Sequence, residues 1–402
     1  MIRSGRTRTR AVAAPGAHLP GPRRRGSTLF RGVAEHPCRP PPPDPRRPRG
    51  VEVRARHHRV SGSGWGWQLR RPCCLDSAME TEALITVADV EDAAERIAGY
   101  VVRTPTVASP GLSGLLGVPT TVKLELLQRT GSFKPRGATA KLLTLSESER
   151  AAGVVTVSGG NHGIALAVMA GVLDIKATVV MPRSAPDRAR EIAQSAGASV
   201  HTADTMDAAF ALVDEFRDAG LTPVHPYDDP VVIAGQGTVG LEFAQDAGEF
   251  TDVLVSIGGG ALISGVATAL HARRPGVRVW GVETDGARAM SAALTAGRPV
   301  PVELSSIVST LSAPSASRRT YAHTSALVTD VLTVTDAEAV RGTLDLAEYG
   351  KVWAEPAAGC LLPAARRVLQ RVGEGARLGL VICGGNAATK DVRNWAERFG
   401  VC

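Results

Sequence analysis

The sequence predicts an α/β fold in which parallel sheets are flanked by helices. The first observation is that short apolar segments, typical of buried strands, alternate with helical stretches after residue 79. The second is that three of these segments end in glycine-rich turns, which commonly join a strand to a helix. The third is a change of composition near residue 79, before which no helical or strand period is sustained. An α/β body preceded by a disordered N-terminal tail is therefore expected.

Strands and helices follow one another through the body. A capping-box-like start at residues 86–89 predicts a first helix through Ile97. Further strands are expected near 121–125, 154–158, 177–181, 252–257, 278–283 and 379–383. Further helices are expected near 138–143, 161–171, 187–196, 205–219, 262–272, 336–349, 360–371 and 389–398.

Residues 1–78 carry the positive charge of the chain. They contain 17 arginines, no lysine, four acidic residues and 11 prolines, whereas residues 79–402 have six more acidic than basic side chains. Such a segment buries too little apolar surface to offset its ordering entropy, so we expect disorder. It fits a transit peptide, an arm for nucleic acid or an anionic surface, or upstream sequence translated from a start placed too early. We favour the third interpretation, because Met79 is followed almost at once by a well-formed domain.

Other features of the composition exclude broad classes of protein. The arginines at positions 23–25 lack the apolar segment of an export signal, and no run approaches the roughly 18 apolar residues of a membrane span. Cys360, Cys383 and Cys402 are scattered through the body, which argues against a disulfide framework and for a reducing compartment. We therefore expect a cytoplasmic protein with no membrane or nucleic-acid partner.

Residues 130–138 hold the first candidate site residue, Lys134. Pro135 is tolerated at the first position of a helix and biases the preceding residue away from helical geometry. Lys134 is therefore expected at the mouth of a strand-to-helix turn, beside Phe133. A lysine held and partly desolvated in this way suits Schiff-base chemistry and later proton transfer. The alternative is an ordinary solvated lysine at a helix start.

Three glycine-rich turns follow predicted strands. They are residues 158–163, Ser-Gly-Gly-Asn-His-Gly; residues 258–265, Gly-Gly-Gly-Ala-Leu-Ile-Ser-Gly; and residues 384–386, Gly-Gly-Asn. The backbone N–H groups of the second turn, at a helix N-terminus, can bind one phosphate. Its pattern matches neither a Walker P-loop nor a dinucleotide fingerprint. Each turn alone is weak evidence for a binding site, because glycine turns are common. The lysine segment and the three turns in this order form a specific pattern.

In that order, the four segments resemble the fold type II, or tryptophan synthase β-like, pyridoxal-phosphate enzymes, and within them the serine/threonine dehydratase family. The resemblance covers about residues 84–400. It implies a two-lobed body that holds pyridoxal 5'-phosphate between a large lobe, residues 79–149 and 231–402, and a smaller inserted lobe, residues 150–230. Residues 228–230, Asp-Asp-Pro, would form a crossover between the lobes. It also implies a homodimer with an active site inside each subunit.

The resemblance further implies a role for each matching residue. Lys134 would bind the cofactor covalently and act as the base for the substrate Cα proton, next to Phe133. Asn161 would bind the ring hydroxyl and Cys383 would face the pyridine nitrogen. Backbone N–H groups of the phosphate loop would come from Gly258, Gly259, Gly260, Ala261 and Leu262. The substrate carboxylate would be bound by Ser158, Gly160, Asn161 and His162, the last of which we interpret as a packed ring without a proton-transfer role.

Four positions depart from the family pattern or refine it. Gly159 stands where serine racemases carry a second base, so elimination is expected instead of racemisation. The neutral thiol of Cys383 is a weak donor, which disfavours transamination. Ala289 stands where a second acidic metal ligand would accompany Glu283, so no metal site is expected. Residues 307–311, Ile-Val-Ser-Thr-Leu, replace the usual Ala-Asp-Gly near the cofactor ring, which narrows or reshapes the pocket.

These features together predict an L-threonine and/or L-serine ammonia-lyase that eliminates water and releases a 2-oxo acid and ammonia. The alternatives are another pyridoxal-phosphate β-lyase or β-replacement enzyme, a serine racemase-like enzyme, and a regulator that binds the cofactor without turnover. Release of oxo acid from threonine and serine, compared with other β-substituted amino acids, distinguishes these possibilities.

Overall fold

The computed structural model describes residues 83–373 and 375–401. The predicted tail, residues 1–78, and Cys402 lie outside the described residues. The strands are β1 (Thr106–Ala108), β2 (Thr120–Leu124), β3 (Val154–Val157), β4 (Ala177–Pro182), β5 (Ser199–Ala203), β6 (Thr222–Pro223), β7 (Asp252–Ser256), β8 (Arg278–Thr284), β9 (Asp330–Val334) and β10 (Leu378–Ile382).

The helices alternate with these strands along the chain. They are α1 (Val87–Ile97), α2 (Pro110–Leu116), α3 (Pro135–Leu142), α4 (Glu147–Ala152), α5 (Asn161–Val172), α6 (Asp187–Ser195), α7 (Met206–Asp218), α8 (Pro230–Asp246), α9 (Ala261–Arg273), α10 (Ala289–Ala296), α11 (Arg318–Leu327), α12 (Asp336–Glu348), α13 (Pro356–Gly359), α14 (Leu361–Val372) and α15 (Thr389–Phe399). The predicted capping box of the first helix is present, with Thr86 and Asp89 exchanging hydrogen bonds.

The strands form two sheets. The first has the order β1–β2–β10–β7–β8–β9 and the second has the order β5–β4–β3–β6. All pairings are parallel except that of β1 with β2, which is antiparallel. The predicted α/β fold with parallel sheets is confirmed. Because the carboxyl ends of parallel strands meet at one edge of a sheet, the turns that follow β7 and β10 lie close together.

Helix α8 was not expected from the sequence, which suggested only a crossover at residues 228–230. Asp229 caps this helix by accepting hydrogen bonds from the N–H groups of Val231 and Val232, at 2.8 and 3.1 Å. The helix contains three glycines and several β-branched residues, which are poor helix formers in isolation. Close packing explains the glycines: a Cβ built on Gly265 of α9 would lie 2.4 Å from the backbone nitrogen of Gly237. Tertiary packing therefore overrides local propensity here.

Other elements were also not predicted, namely β1, β5, β6, β9, α2, α4, α10, α11 and α13. Within residues 83–401, no helix is both long enough and apolar enough to cross a membrane.

Candidate functional site

Lys134 immediately precedes α3, in which Pro135 is the first residue. Its backbone is helical, with φ −56° and ψ −33°, so the expectation that Pro135 keeps it out of the helical region is wrong. The junction with β2 is also longer than expected, because turns of 3-10 helix at Glu125–Leu127 and Arg129–Gly131 intervene. The residue before a proline is biased against helical geometry, not excluded from it, and packing of α3 decides the conformation.

A buried ion network anchors the first turn of α3. The Arg136 guanidinium donates hydrogen bonds to both carboxylate oxygens of Glu125 at 2.8 Å and to those of Glu242 at 2.7 and 2.8 Å. The Lys123 ammonium binds Glu242 at 2.6 Å. Two positive and two negative groups balance, so removing one leaves an uncompensated buried charge. This network positions Lys134 two residues away.

The Lys134 amine is partly buried and lies near polar groups. Its Nζ donates a hydrogen bond to the Pro226 carbonyl at 3.1 Å and lies 5.0 Å from the centroid of the Phe133 ring. Burial lowers the pKa of Lys134 to about 8, against the opposing influence of Cys383 and Glu355. A larger neutral fraction than that of an ordinary lysine makes this amine suitable as a nucleophile and base.

Glu355 is a site residue that sequence reasoning missed. It precedes α13, is 4% exposed, and accepts hydrogen bonds from Asn161 Nδ2 at 3.0 and 3.2 Å. The Asn386 backbone and the Thr310 side chain favour the anion, yet burial has the larger influence and raises the pKa of Glu355 to about 7. The available signal was a single acidic residue at the start of an apolar stretch, since buried charges are rare unless paired.

Asn161 is held on both sides. Besides its bonds to Glu355, its Oδ1 accepts a hydrogen bond from Asn386 Nδ2 at 2.8 Å. The first glycine-rich turn, at the end of β3, and the third, at the end of β10, are thereby joined through side chains. This orients the Asn161 amide before any ligand is bound.

The turn at residues 158–162 leads from β3 into α5. The Gly160 N–H donates to Ser158 Oγ at 3.3 Å, and Asn161 is the first residue of α5. The His162 ring contacts the Val224 carbonyl through Nε2 at 3.1 Å, and its Nδ1 has no hydrogen-bond partner among the described residues. Burial, with the nearby Lys134 charge, lowers the pKa of His162 to about 3, so the ring is neutral and packed.

The second glycine-rich turn leads from β7 into α9. Gly260 has φ +96°, which favours glycine, and Ala261 is the first residue of the helix. Ala261 therefore adopts ordinary helical geometry, and the absence of a fourth glycine is accommodated. A Cβ on Gly259 would lie 2.1 Å from the Tyr227 ring, whose hydroxyl donates to the Ser315 carbonyl at 3.2 Å. The first N–H groups of α9 lack intrahelical acceptors and can bind an anion.

Cys383 follows β10 and is 3% exposed. Its carbonyl accepts a hydrogen bond from the Phe133 N–H at 3.0 Å, which joins the lysine segment to the end of this strand. Burial raises the pKa of the Cys383 thiol well above its ordinary value, with Glu355 acting in the same direction. The group is therefore a neutral thiol.

Glu283 lies outside this cluster and has a structural partner. Its carboxylate accepts hydrogen bonds from the N–H groups of Met290 and Ser291 at 2.8 and 2.9 Å, at the start of α10. In the part of the chain that the structure describes, no group of three His, Cys, Asp or Glu side chains is placed to hold a metal ion.

A lysine with a lowered pKa, an amide held by a buried carboxyl, a neutral thiol and a glycine-lined helix N-terminus define a class of site. They are the features of an α/β enzyme that binds an aldehyde cofactor carrying a phosphate. Comparison with known proteins identifies the family. Residues 97–384 match the model of the pyridoxal-phosphate dependent enzyme family, and the chain belongs to this family.

Individual relatives give the same result. The L-threonine ammonia-lyase of Thermotoga maritima is 38% identical over 306 residues, which cover 75% of this chain and 76% of that protein. The structure of the T.th. threonine deaminase superposes with a TM-score of 0.71 and 36% identity, covering 76% of this chain and 99% of that one. The structure of maize serine racemase superposes with a TM-score of 0.74 and 30% identity, covering 79% and 98%. The chain is accordingly a pyridoxal-phosphate dependent enzyme.

The described residues fit this cofactor. Its aldehyde has a counterpart in the Lys134 amine, its ring hydroxyl in the Asn161 amide, and its phosphate in the N–H groups at the start of α9. Gly259 lies against the Tyr227 ring with no space for a side chain, so a glycine is required in this turn.

Proposed function

We propose that this enzyme is an ammonia-lyase that acts on L-threonine, L-serine or both, and releases a 2-oxo acid and ammonia. The observation that carries the proposal is the Lys134 amine, held at the start of α3 with a pKa lowered to about 8. The names of the threonine ammonia-lyase and threonine deaminase relatives support the substrate class.

Pyridoxal phosphate, when bound, supplies an aldehyde that links to amines and a ring that withdraws electrons from the substrate Cα. Lys134 Nζ would take the Cα proton, since its lowered pKa makes a larger fraction of the amine neutral near neutral pH than in an ordinary lysine. The α9 N-terminus and residues Gly258, Gly259, Gly260, Ala261 and Leu262 would bind the phosphate. Asn161, oriented by Glu355 and Asn386, would bind the ring hydroxyl.

The substrate would be oriented by the turn before α5. Ser158 and the N–H groups of Gly160, Asn161 and His162 lie at a helix N-terminus, which favours a carboxylate. The neutral Cys383 thiol would face the ring nitrogen and leave it without a strong proton donor.

Elimination is favoured over racemisation by the surroundings of Gly159. A Cβ at this position would lie 2.7 Å from the Ala185 Cβ and 3.1 Å from Pro182, so a serine side chain has no space without a shift. A second base is thus absent from this position, and one-base elimination of the β-hydroxyl remains.

A second candidate is a β-lyase or β-replacement enzyme for another β-substituted amino acid. It is favoured by residues 307–311, which replace the Ala-Asp-Gly usual in the family and form a 3-10 turn at Ser309–Leu311. We further propose a cytoplasmic homodimer whose large lobe comprises residues 79–149 and 231–402 and whose small lobe comprises residues 150–230.

The test uses the full chain loaded with pyridoxal phosphate. Borohydride reduction and peptide mass spectrometry should locate the cofactor on Lys134, and Lys134→Ala should lose both the label and oxo-acid release from L-threonine and L-serine. A label on Lys134 without product from either amino acid would favour the second candidate. Absence of label at Lys134 would overturn the proposal.

A further inference from the structure

Thr310 lies at the point where three parts of the candidate site meet. Its side chain lies near the Glu355 carboxyl and favours the anionic form of that group. Its γ-methyl carbon is 3.8 Å from the position that a Cβ would occupy at Gly160. Its carbonyl oxygen is 3.3 Å from the corresponding position at Gly258. The residue is nevertheless exposed, so it stands at the opening of the site and not in the core.

The turn that carries Thr310 is held firmly. The Ser306 hydroxyl and the Ile307 N–H both donate to the Asp336 carboxylate, at 2.5 and 2.9 Å. The next residue after Thr310, Leu311, is 6% exposed and packs in the main core. Anchors on both sides therefore hold the backbone that carries the Thr310 side chain.

The two groups of this side chain do different chemistry. The methyl group occupies space beside the turn proposed to bind the substrate carboxylate. The hydroxyl group lies near the Glu355 carboxyl, which accepts hydrogen bonds from Asn161. We propose that Thr310 is a specificity-determining residue: its methyl group restricts the size of the β-substituent accepted, and its hydroxyl orients Glu355. This inference rests on the proposed function and refines it toward small β-hydroxy amino acids.

Two variants separate the groups. Thr310→Ser keeps the hydroxyl and removes the methyl, whereas Thr310→Val keeps the shape and removes the hydroxyl. Ser312→Ala is the matched control, because this hydroxyl bonds to the Val308 carbonyl within the same turn and does not contact Glu355. Circular dichroism establishes that each variant is folded.

The measurement is kcat/KM of the loaded enzyme for L-serine, L-threonine and L-threo-3-phenylserine. Thr310→Ser should shift the preference toward the larger substrates by roughly 10-fold or more, the usual effect of one methyl group in a pocket. Thr310→Val should keep the order of preference and lower kcat for all three substrates, and Ser312→Ala should match the wild type.

A second readout does not depend on turnover. Thr310→Val removes a donor that favours the Glu355 anion, so the pH dependence of unfolding of the cofactor-free protein should shift toward higher pH. The groups facing Glu355 are the Lys134 amine before α3, the Cys383 thiol after β10 and the Asn161 amide of α5. A shift with Thr310→Val but not with Thr310→Ser supports the assignment of the hydroxyl.

The inference and the proposed function fail in distinguishable ways. If the wild type releases no oxo acid, the proposed lyase activity fails. Competition among the three amino acids for binding to the loaded protein then still tests whether Thr310→Ser relaxes size selection. An unchanged order of preference in Thr310→Ser, in turnover or in binding, would overturn the role of the methyl group. An unchanged pH dependence in Thr310→Val would overturn the role of the hydroxyl.

Discussion

Replacing Glu355 by glutamine should stabilise the cofactor-free protein at alkaline pH while impairing the site. Burial raises the pKa of this carboxyl from about 4.5 to about 7 on folding. A raised pKa means that the folded state binds the proton more tightly than the unfolded state. Its contribution to stability is therefore present below about pH 4.5 and is lost as the pH rises through about 7.

The size of the effect follows from the two pKa values. Between about pH 5 and pH 8, the wild type should lose about 2.5 kcal/mol of unfolding free energy through this one group. Glu355→Gln does not titrate and should not show that loss. Any constant cost from imperfect hydrogen bonding by the amide is the same at both pH values, so the difference between them isolates the titration.

The assay is urea unfolding of the cofactor-free wild type and variant at these two pH values. Glu149→Gln is the control, because hydrogen bonds from Ser146 lower the pKa of the exposed Glu149 carboxyl below its ordinary 4.5. The stability contributed by that group changes only at lower pH, so this variant should lose as much unfolding free energy between the two pH values as the wild type. Repeating the pair in a Lys134→Ala background removes coupling to the neighbouring amine. Urea midpoints that move in parallel for wild type and Glu355→Gln would refute the reasoning.

Three further predictions concern glycines with no space for a side chain. Gly259→Ala should weaken pyridoxal-phosphate binding about 10-fold, because the new Cβ would overlap the Tyr227 ring. A cofactor titration should show that adding Tyr227→Leu restores the affinity. An unchanged affinity in the single variant would contradict the prediction. Gly265→Ala should lower the free energy of unfolding by about 3 kcal/mol in chemical denaturation, since α8 backbone atoms block the new Cβ. The control Gly114→Ala, where the Cβ meets open space, should not destabilise the protein. Equal stabilities of the two variants would count against close packing of α8 on α9. Gly159→Ser should lower the free energy of unfolding by about 1–3 kcal/mol, because the serine side chain crowds Ala185. Chiral chromatography should detect no gain of D-serine formation in this variant. Efficient racemisation would show that a serine side chain can act as a base at this position.

Much of the fold was predictable because strands and helices with a strong apolar period can be recognised from the local sequence alone. The strands β2, β3, β4, β7, β8 and β10 and the helices after the glycine turns were expected within a few residues. Helix α8 was not, because its glycines and β-branched residues argue against a helix until α9 packs on it. The short edge strands β1 and β6, of three and two residues, carry too little sequence signal to be found.

The same division applies to the site. The sequence predicted the candidate lysine, the candidate phosphate-binding turn and their order, because the functions proposed for them require particular residue types next to strand ends. Only the tertiary structure revealed Glu355, which is distant from Asn161 in the chain and becomes its hydrogen-bond partner through folding. It also decided the helical geometry of Lys134 against the preference imposed by Pro135. The physical reason is that burial and long-range hydrogen bonds, which set protonation and orientation, depend on contacts that no local pattern encodes.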